Sequence, residues 1–99
     1  MIVGGKMVDI DKDILIQAIE KWGDSIQLDM VVEEMSELIK EICKYKRGRV
    51  NRSEIIEEIA DVSIMLEQAK IIFGISDGEI NDVAHTKIGR LKYKLMEGK

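Results

Sequence analysis

The chain contains no proline, one cysteine and one histidine, and only 4% of its 99 residues are aromatic. Because Cys43 has no partner within the chain, a disulfide framework is excluded. His85 and Cys43 alone cannot supply the nitrogen and sulfur ligands of a usual zinc site. No apolar run approaches the roughly 20 residues that a membrane-spanning helix needs. These absences favour a protein of a reducing compartment, without a zinc site and without a membrane-spanning helix.

Composition and charge further restrict the cellular setting, the number of domains and the kind of partner. The first residues lack the basic start and apolar core of a secretory signal, so a cytoplasmic setting is expected. The 45% of hydrophobic residues are enough for a core, and 11.3 kDa fits one domain over residues 1–99 with a loose segment at 1–8. With 15 basic and 19 acidic residues the net charge is −4, which argues against a broad basic surface for a nucleic acid polymer.

The sequence is typical of helices throughout. Apolar residues recur at spacings of three and four, and no proline interrupts them. Glycines predict where the helices end: Gly23, Gly48, Gly74 and Gly98. Short connections then favour antiparallel neighbours, so we expect an all-α, antiparallel four-helix-bundle-type domain.

Helix starts are predicted from capping residues. Asp11 caps a first helix that runs to about Trp22, and Asp24 or Ser25 caps a second that ends near Arg47. The remaining two starts have the capping-box spacing, in which a serine or asparagine is followed three residues later by glutamate: Asn51 with Glu54, and Ser76 with Glu79.

Two acidic motifs lie on the second and third helices. Glu33-Glu34-x-x-Glu37 and Glu57-Glu58-x-x-Asp61 each place carboxylates three residues apart, on one helical face. An acidic patch on a helix is ordinarily a solvated surface. A helical wheel, at about 100° per residue, instead places Glu58 inside the apolar sector and Glu34 at the edge of the other helix's stripe.

Antiparallel packing would bring these carboxylates together. Two carboxylates about 5 Å apart repel by roughly 3 kcal/mol at an effective dielectric constant of 20, and uncompensated burial costs more. A hard divalent cation relieves this repulsion, and Mg²⁺ or its substitute Mn²⁺ prefers oxygen ligands. The pattern therefore predicts a metal site.

The fourth helix supplies positive charge beside an apolar stripe of Ile80, Val83, Ala84, Leu91 and Leu95. On the helical wheel Lys87 falls between Val83 and Ile80, and Lys94 and Arg90 lie on that same side; we call these three basic residues the basic edge. Their long side chains could simply lay their stems on the core, and for Lys94 that interpretation is favoured. For Lys87 and Arg90 together we favour binding of phosphate.

The order of these motifs resembles the MazG-like nucleotide pyrophosphohydrolases, of the all-α NTP pyrophosphatase superfamily. The acidic motif Glu33-Glu34-x-x-Glu37 is followed after twenty residues by Glu58-x-x-Asp61. Flanking words add to the likeness: Lys21-Trp22-Gly23, Gln27-Leu28 and Lys87-x-x-Arg90-Leu91. The resemblance covers most of the chain, from about Ile14 to Leu95.

This resemblance implies hydrolysis of a nucleoside triphosphate between the α- and β-phosphates, giving monophosphate and pyrophosphate. It implies four Mg²⁺ ligands: Glu34, Glu37, Glu58 and Asp61. Glu33 or Glu37 would orient or deprotonate the attacking water, and the sequence does not separate the two. Lys87 and Arg90 would hold the phosphates, with Lys94 beside them. Glu41, one turn beyond Glu37, is expected at the surface.

The sequence indicates less clearly which residues would contact the base and the sugar of the nucleotide. Trp22 and Gln27 suit a nucleobase, as a stacking indole and a side-chain amide, although Trp22 could equally seal the end of the first helix. The third helix is apolar nearly all round and must be covered on several sides. We therefore expect a homodimer or homotetramer, which the resemblance also implies.

Two other functions remain open from the sequence. A non-catalytic helical interaction module would use its acidic ridges to recruit a basic partner, without dependence on Mg²⁺. A nucleotide- or metal-binding regulator would keep the site but release no pyrophosphate. Neither the preferred nucleotide nor the number of metal ions follows from the residues.

Overall fold

The computed structural model describes residues 10–98, and these form four α-helices with no strand among them. The helices are α1 (Lys12–Trp22), α2 (Asp24–Lys46), α3 (Arg52–Phe73) and α4 (Asp77–Met96). The all-α prediction is confirmed for these residues. The segment 1–8, expected to be loose, lies outside the described residues. None of the four helices is long and apolar enough to cross a membrane.

The predicted glycine stops are confirmed. Gly23, Gly48, Gly74 and Gly98 all have positive φ, the conformation that ends a helix at little cost only for glycine. At the C-terminus of α3, Gly74 has φ 66° and ψ 35°, and the Ile75 amide donates back to the Lys70 carbonyl at 2.9 Å.

Two of the four predicted N-caps form as expected. The Asp11 carboxylate accepts from the Asp13 amide at 3.0 Å. Ser76 and Glu79 form the reciprocal capping box at the start of α4. Both arrangements satisfy amides that have no partner within the helix.

The other two caps were wrongly predicted. Helix α2 begins at Asp24 directly after Gly23, which also ends α1, so no side-chain cap forms. Asp24 instead occupies the first turn, where a carboxylate is favoured by the helix dipole. Asn51 precedes α3 but makes no capping hydrogen bond, because its side chain is buried and turned towards α2.

Helices α2 and α3 form an antiparallel pair that makes most of the tertiary contact. Buried polar links join the pair near both ends. At one end, the Gln68 amide donates to Gln27 Oε1. At the other, Asn51 Nδ2 donates to the Glu41 carbonyl at 2.8 Å and to Glu41 Oε1 at 2.9 Å. The acidic motifs lie between these links.

Helix α1 packs against both members of the pair. It contributes Leu15, which with Val31 of α2 makes up the fully buried apolar core of the described residues. A core residue normally touches several other core residues, so two buried apolar side chains make a very small core for a chain of this size. The three helices therefore leave much of their apolar surface open.

Helix α4 departs from the bundle that the sequence predicts. Apart from the ion pair between Lys70 of α3 and its own first residue Asp77, it does not pack against α1, α2 or α3, and none of its residues is buried. The radius of gyration is accordingly 16.4 Å, against about 13 Å for a compact domain of 100 residues. The expectation that α4 packs antiparallel on its neighbour in the same chain is wrong for this protomer. The bundle-like packing is mainly that of α2 with α3.

Candidate metal centre

Three carboxylates from α2 and α3 converge midway along the pair: Glu34, Glu58 and Asp61. We call these three residues the acidic cluster. Each offers one carboxylate oxygen, and the three oxygens lie within 4.8 Å of one another. Glu34 and Glu58 are half-buried. Three oxygen ligands at this separation fit one hard divalent cation, such as Mg²⁺ or Mn²⁺.

The register of the two helices explains why these residues meet. Gln27, Glu34 and Glu41 are seven residues apart on α2 and lie on one helical face. Gln27 meets Gln68 and Glu41 meets Asn51, so Glu34 lies opposite the middle of α3. Glu58 and Asp61, three apart, share the α3 face at that level. Two buried polar links thus hold the helices in the register that gathers the carboxylates.

The electrostatics of the cluster disfavour charge. Burial raises the pKa of Glu34, and the negative charge of Asp61 raises it further. The closeness of the Asp61 carboxylate, which favours a shared proton, acts in the same direction on the pKa of Glu34. Burial likewise raises the pKa of Glu58, with Asp61 and Glu37 adding to the effect. Among the described residues, only protonation compensates the negative charge of the cluster when no cation is bound.

No basic side chain of the described residues pairs with the acidic cluster. The salt bridges of the described residues lie away from the cluster: Lys44 pairs with Glu41, and Lys70 pairs with Glu67 and Asp77. Glu58 Oε2 is buried and has no hydrogen-bond partner. An unpartnered carboxylate oxygen beside two other carboxylates is the arrangement that a bound cation would complete. The residues present therefore fit a divalent metal ion.

Glu37 and Glu33 differ in their relation to the cluster. Glu37 is half-buried, and its charge acts on Glu58, but its carboxylate is not among the three converging oxygens. Glu33 is exposed, and its charge acts on Glu34. That one of these two residues orients or deprotonates the attacking water stays a prediction. Glu37 as a fourth metal ligand also stays a prediction.

Glu41 is not at the surface, contrary to expectation. It is only 8% exposed, and it accepts hydrogen bonds from Asn51 and from Lys44 Nζ at 3.1 Å. These hydrogen bonds, first that from Asn51, lower the pKa of Glu41. Glu41 is thus a compensated carboxylate next to uncompensated ones, and its charge adds to the field that raises the pKa of Glu58. Its spacing of seven from Glu34 was the signal that could have placed it.

The basic edge lies apart from the acidic cluster within one chain. Lys87, Arg90 and Lys94 are exposed on α4, which does not pack against α2 or α3 beyond the ion pair at its first residue. Phosphate binding by these residues at the cluster of their own chain is therefore not supported by this arrangement. Their placement on one edge of the apolar stripe follows the sequence prediction.

The two candidates for base and sugar binding lie in different settings. Trp22 is 52% exposed at the end of α1, and the Lys21 ammonium lies 5.3 Å from the centre of its ring. Its indole is accessible for stacking. Gln27 is 3% exposed, and its amide contacts Gln68 and the Met30 sulfur. Its side chain is thus engaged in the α2–α3 contact, a role that the sequence did not indicate.

Comparison with known proteins adds no assignment. No protein-family model matches the chain, and no curated protein and no solved structure matches it either.

Proposed function

We propose that this chain is a divalent-cation-dependent nucleoside triphosphate pyrophosphohydrolase of the MazG-like kind. The observation that carries the proposal is the acidic cluster, whose three carboxylate oxygens lie within 4.8 Å on two antiparallel helices. The resemblance of the two acidic motifs to that family supports the same function. The proposed reaction converts a nucleoside triphosphate and water into a nucleoside monophosphate and pyrophosphate.

Glu34, Glu58 and Asp61 would hold Mg²⁺, with Mn²⁺ as a substitute, and Glu37 would complete or flank the ligand set. A bound cation supplies charge neutralisation of the triphosphate, polarisation of the scissile phosphoryl group and a lowered pKa of bound water. Carboxylates are suited to this task because Mg²⁺ is commonly held by a few of them together with substrate phosphates.

The chain's own residues would handle the proton and the leaving group. In the proposed reaction a water oxygen bonds to the α-phosphorus, and the bond from that phosphorus to the bridging oxygen breaks. Glu33 or Glu37 would accept the proton from the attacking water. The departing pyrophosphate carries the bond electrons as added negative charge, which Lys87, Arg90 and Lys94 would stabilise from another copy of the chain, since they lie apart from the acidic cluster of their own.

Specificity for the nucleoside would come from Trp22, and from Gln27 only if its contact with Gln68 opens. An exposed indole offers a stacking surface to any base. The proposal therefore names nucleoside triphosphates as the substrate class and not one nucleotide. It also includes a homodimer or homotetramer, because a protomer with two fully buried apolar side chains leaves too much apolar surface uncovered.

Product analysis tests this proposal. A panel of canonical, deoxy and modified nucleoside triphosphates would be incubated with the protein in Mg²⁺ and in EDTA, and the products separated. We expect monophosphate and pyrophosphate in Mg²⁺, none in EDTA, and at least a hundredfold slower release in Glu58→Gln. A matched control is Glu20→Gln, which removes an exposed carboxylate on α1.

Two outcomes would overturn the proposal. Diphosphate and inorganic phosphate as products would place the reaction at a different bond. No turnover of any nucleotide by a folded parent protein, with Mg²⁺ or Mn²⁺, would reject the enzyme.

A further inference from the structure

We propose that helix α4 docks on a second copy of this chain and brings its basic edge to that copy's acidic cluster. Only the role of the completed site in hydrolysis rests on the proposed function. The docking itself is argued from contacts, charges and dimensions of the described residues. It commits to one occupant of the α4 surface, a second copy.

The first step is that α4 is held away from its own chain by a well-formed turn. Gly74 ends α3 in the left-handed region, and Lys70 Nζ binds Glu67 at 2.7 Å and Asp77 at 2.5 Å across the turn. The Ser76 amide donates to Glu79 Oε2 at 2.8 Å, and the Glu79 amide donates to Ser76 Oγ at 3.2 Å. A return of α4 onto α2 and α3 would require a different backbone at the turn after Gly74 and a new geometry for the Lys70–Asp77 ion pair.

The second step is that α4 cannot remain uncovered. Its apolar stripe faces solvent along the whole helix, with Val83 56% and Leu91 51% exposed. A long helix with a continuous apolar stripe is stable in water chiefly when that stripe packs against another surface. No other helix of the described residues packs on this stripe, so we assign its cover to a second copy.

The third step concerns charge. The C-terminal half of α4 carries the basic edge, Lys87, Arg90 and Lys94, whereas the acidic cluster has no basic partner among the described residues. The two surfaces are complementary in sign, and both belong to every copy of the chain. Complementary potentials of this kind select a partner and fix its orientation.

The fourth step concerns shape. Helix α4 has 20 residues and α3 has 22, so their lengths are about 30 and 33 Å. Apolar residues one turn from the cluster are partly accessible: Met30 before Glu34 is 40% exposed, and Ile55 and Val62 on either side of Glu58 are half-buried. A second copy's α4 can therefore lie along the α2–α3 pair, with its stripe on apolar side chains and its basic edge over carboxylates. Reciprocal docking about a two-fold axis covers both helices and closes the assembly.

The test is carbodiimide crosslinking, which joins a lysine amine directly to a carboxylate without a spacer. Unlabelled and ¹⁵N-labelled chains would be mixed in equal amounts, unfolded and refolded together, crosslinked, and digested for mass spectrometry. Lys87 and Lys94 should be crosslinked to carboxylates of the two acidic motifs. About half of these peptide pairs should combine one light and one heavy peptide, as random pairing of two copies requires. Lys92, away from the basic edge, is the internal control and should give no such pairs.

This readout needs no enzymatic activity, so it is independent of the proposed function. Pairs that are only light–light or heavy–heavy would show that α4 folds back on its own chain and would overturn the proposal. Absence of crosslinks from Lys87 and Lys94 to the acidic motifs would overturn it as well, and would leave α4 to a different partner.

If the parent protein releases pyrophosphate, mixing two inactive variants gives a second test. Glu58→Gln and Arg90→Ala chains would be refolded together. Docking between copies predicts one intact site in each mixed dimer, and so about a quarter of the parent turnover in an equal mixture. Turnover of the mixture no higher than that of the separate variants would contradict docking between copies. Absence of turnover by the parent protein would count against the proposed function alone.

Discussion

At the scale of residues, the acidic cluster differs from the other carboxylates of the chain. Glu41 and Glu79 are compensated by hydrogen bonds that lower their pKa. Glu34 and Glu58 have a raised pKa because burial and neighbouring negative charge act in the same direction. Carboxylates kept close without compensation reduce stability, and clusters of this kind concentrate at functional sites.

A raised pKa gives a definite dependence of stability on pH. The folded protein binds protons at Glu58 more tightly than the unfolded chain does, so this residue costs stability as the pH rises through its raised pKa. In EDTA, Glu58→Gln should therefore be more stable than the parent at pH 7, by a few degrees in thermal midpoint. The advantage should shrink as the pH falls through the raised pKa of Glu58 and be lost below the ordinary glutamate value of 4.5.

Thermal unfolding of both proteins between pH 4 and pH 8 measures this difference, with Glu20→Gln as the control. Taking the difference between parent and variant removes the opposite contributions of Glu41 and Glu79, which both proteins share. A variant less stable than the parent at pH 7 without divalent cations would show that Glu58 is compensated after all.

At the scale of elements, two buried polar links set the register of α2 on α3. The Gln27–Gln68 contact is the more deeply buried, with Gln68 only 1% exposed. Buried polar pairs are known to fix the register of packed helices at some cost in stability. Here the register matters because a shift along the helix axis would separate Glu34 from Glu58 and Asp61.

Substitutions at this link should separate stability from site geometry. Gln68→Ala leaves the Gln27 amide buried without its partner and should cost about 1–3 kcal/mol of unfolding free energy. The double variant Gln27→Leu, Gln68→Leu removes both polar groups and should recover most of that loss. Chemical denaturation measures both effects.

Divalent-cation affinity of the same variants tests the register. The double variant should bind Mg²⁺ more weakly than the parent, even with its stability restored. Unchanged affinity in the double variant would mean that Asn51, Glu41 and the apolar contacts set the register without the glutamines.

The elements themselves were largely predictable from the sequence, because local signals determine them. Gly23, Gly48, Gly74 and Gly98 end the helices as predicted, and Asp11 and Ser76 cap them. The failures at Asn51 and Glu41 have one physical cause. Their side chains pair across ten residues, and a local capping rule contains no information about a partner on another helix.

At the scale of the whole molecule, the described part of the protomer leaves much apolar surface uncovered. Large apolar residues are exposed on all four helices, including Ile39 at 62% and Phe73 at 61%. The sequence indicated this shortage of cover from the apolar character of α3. It could not indicate that α4 leaves its own chain, since amphipathic helices have the same pattern whether they pack within or between chains.

Stability should accordingly depend on protein concentration. Association that stabilises only the folded chain makes the thermal midpoint rise with concentration. We expect a shift of a few degrees for each tenfold change, together with sedimentation as a dimer or larger species at micromolar concentration. A monomer with a constant midpoint would contradict this account of the whole molecule.

The central claim is that the acidic cluster holds a divalent cation, and direct titration tests it best. Calorimetric titration of Mg²⁺ and Mn²⁺ into the parent, Glu58→Gln and Glu20→Gln would compare three proteins with nearly the same composition. The account predicts saturable binding to the parent, at least tenfold weaker binding to Glu58→Gln, and parent-like binding to Glu20→Gln. No saturable binding to the folded parent, or equal binding to all three proteins, would contradict it.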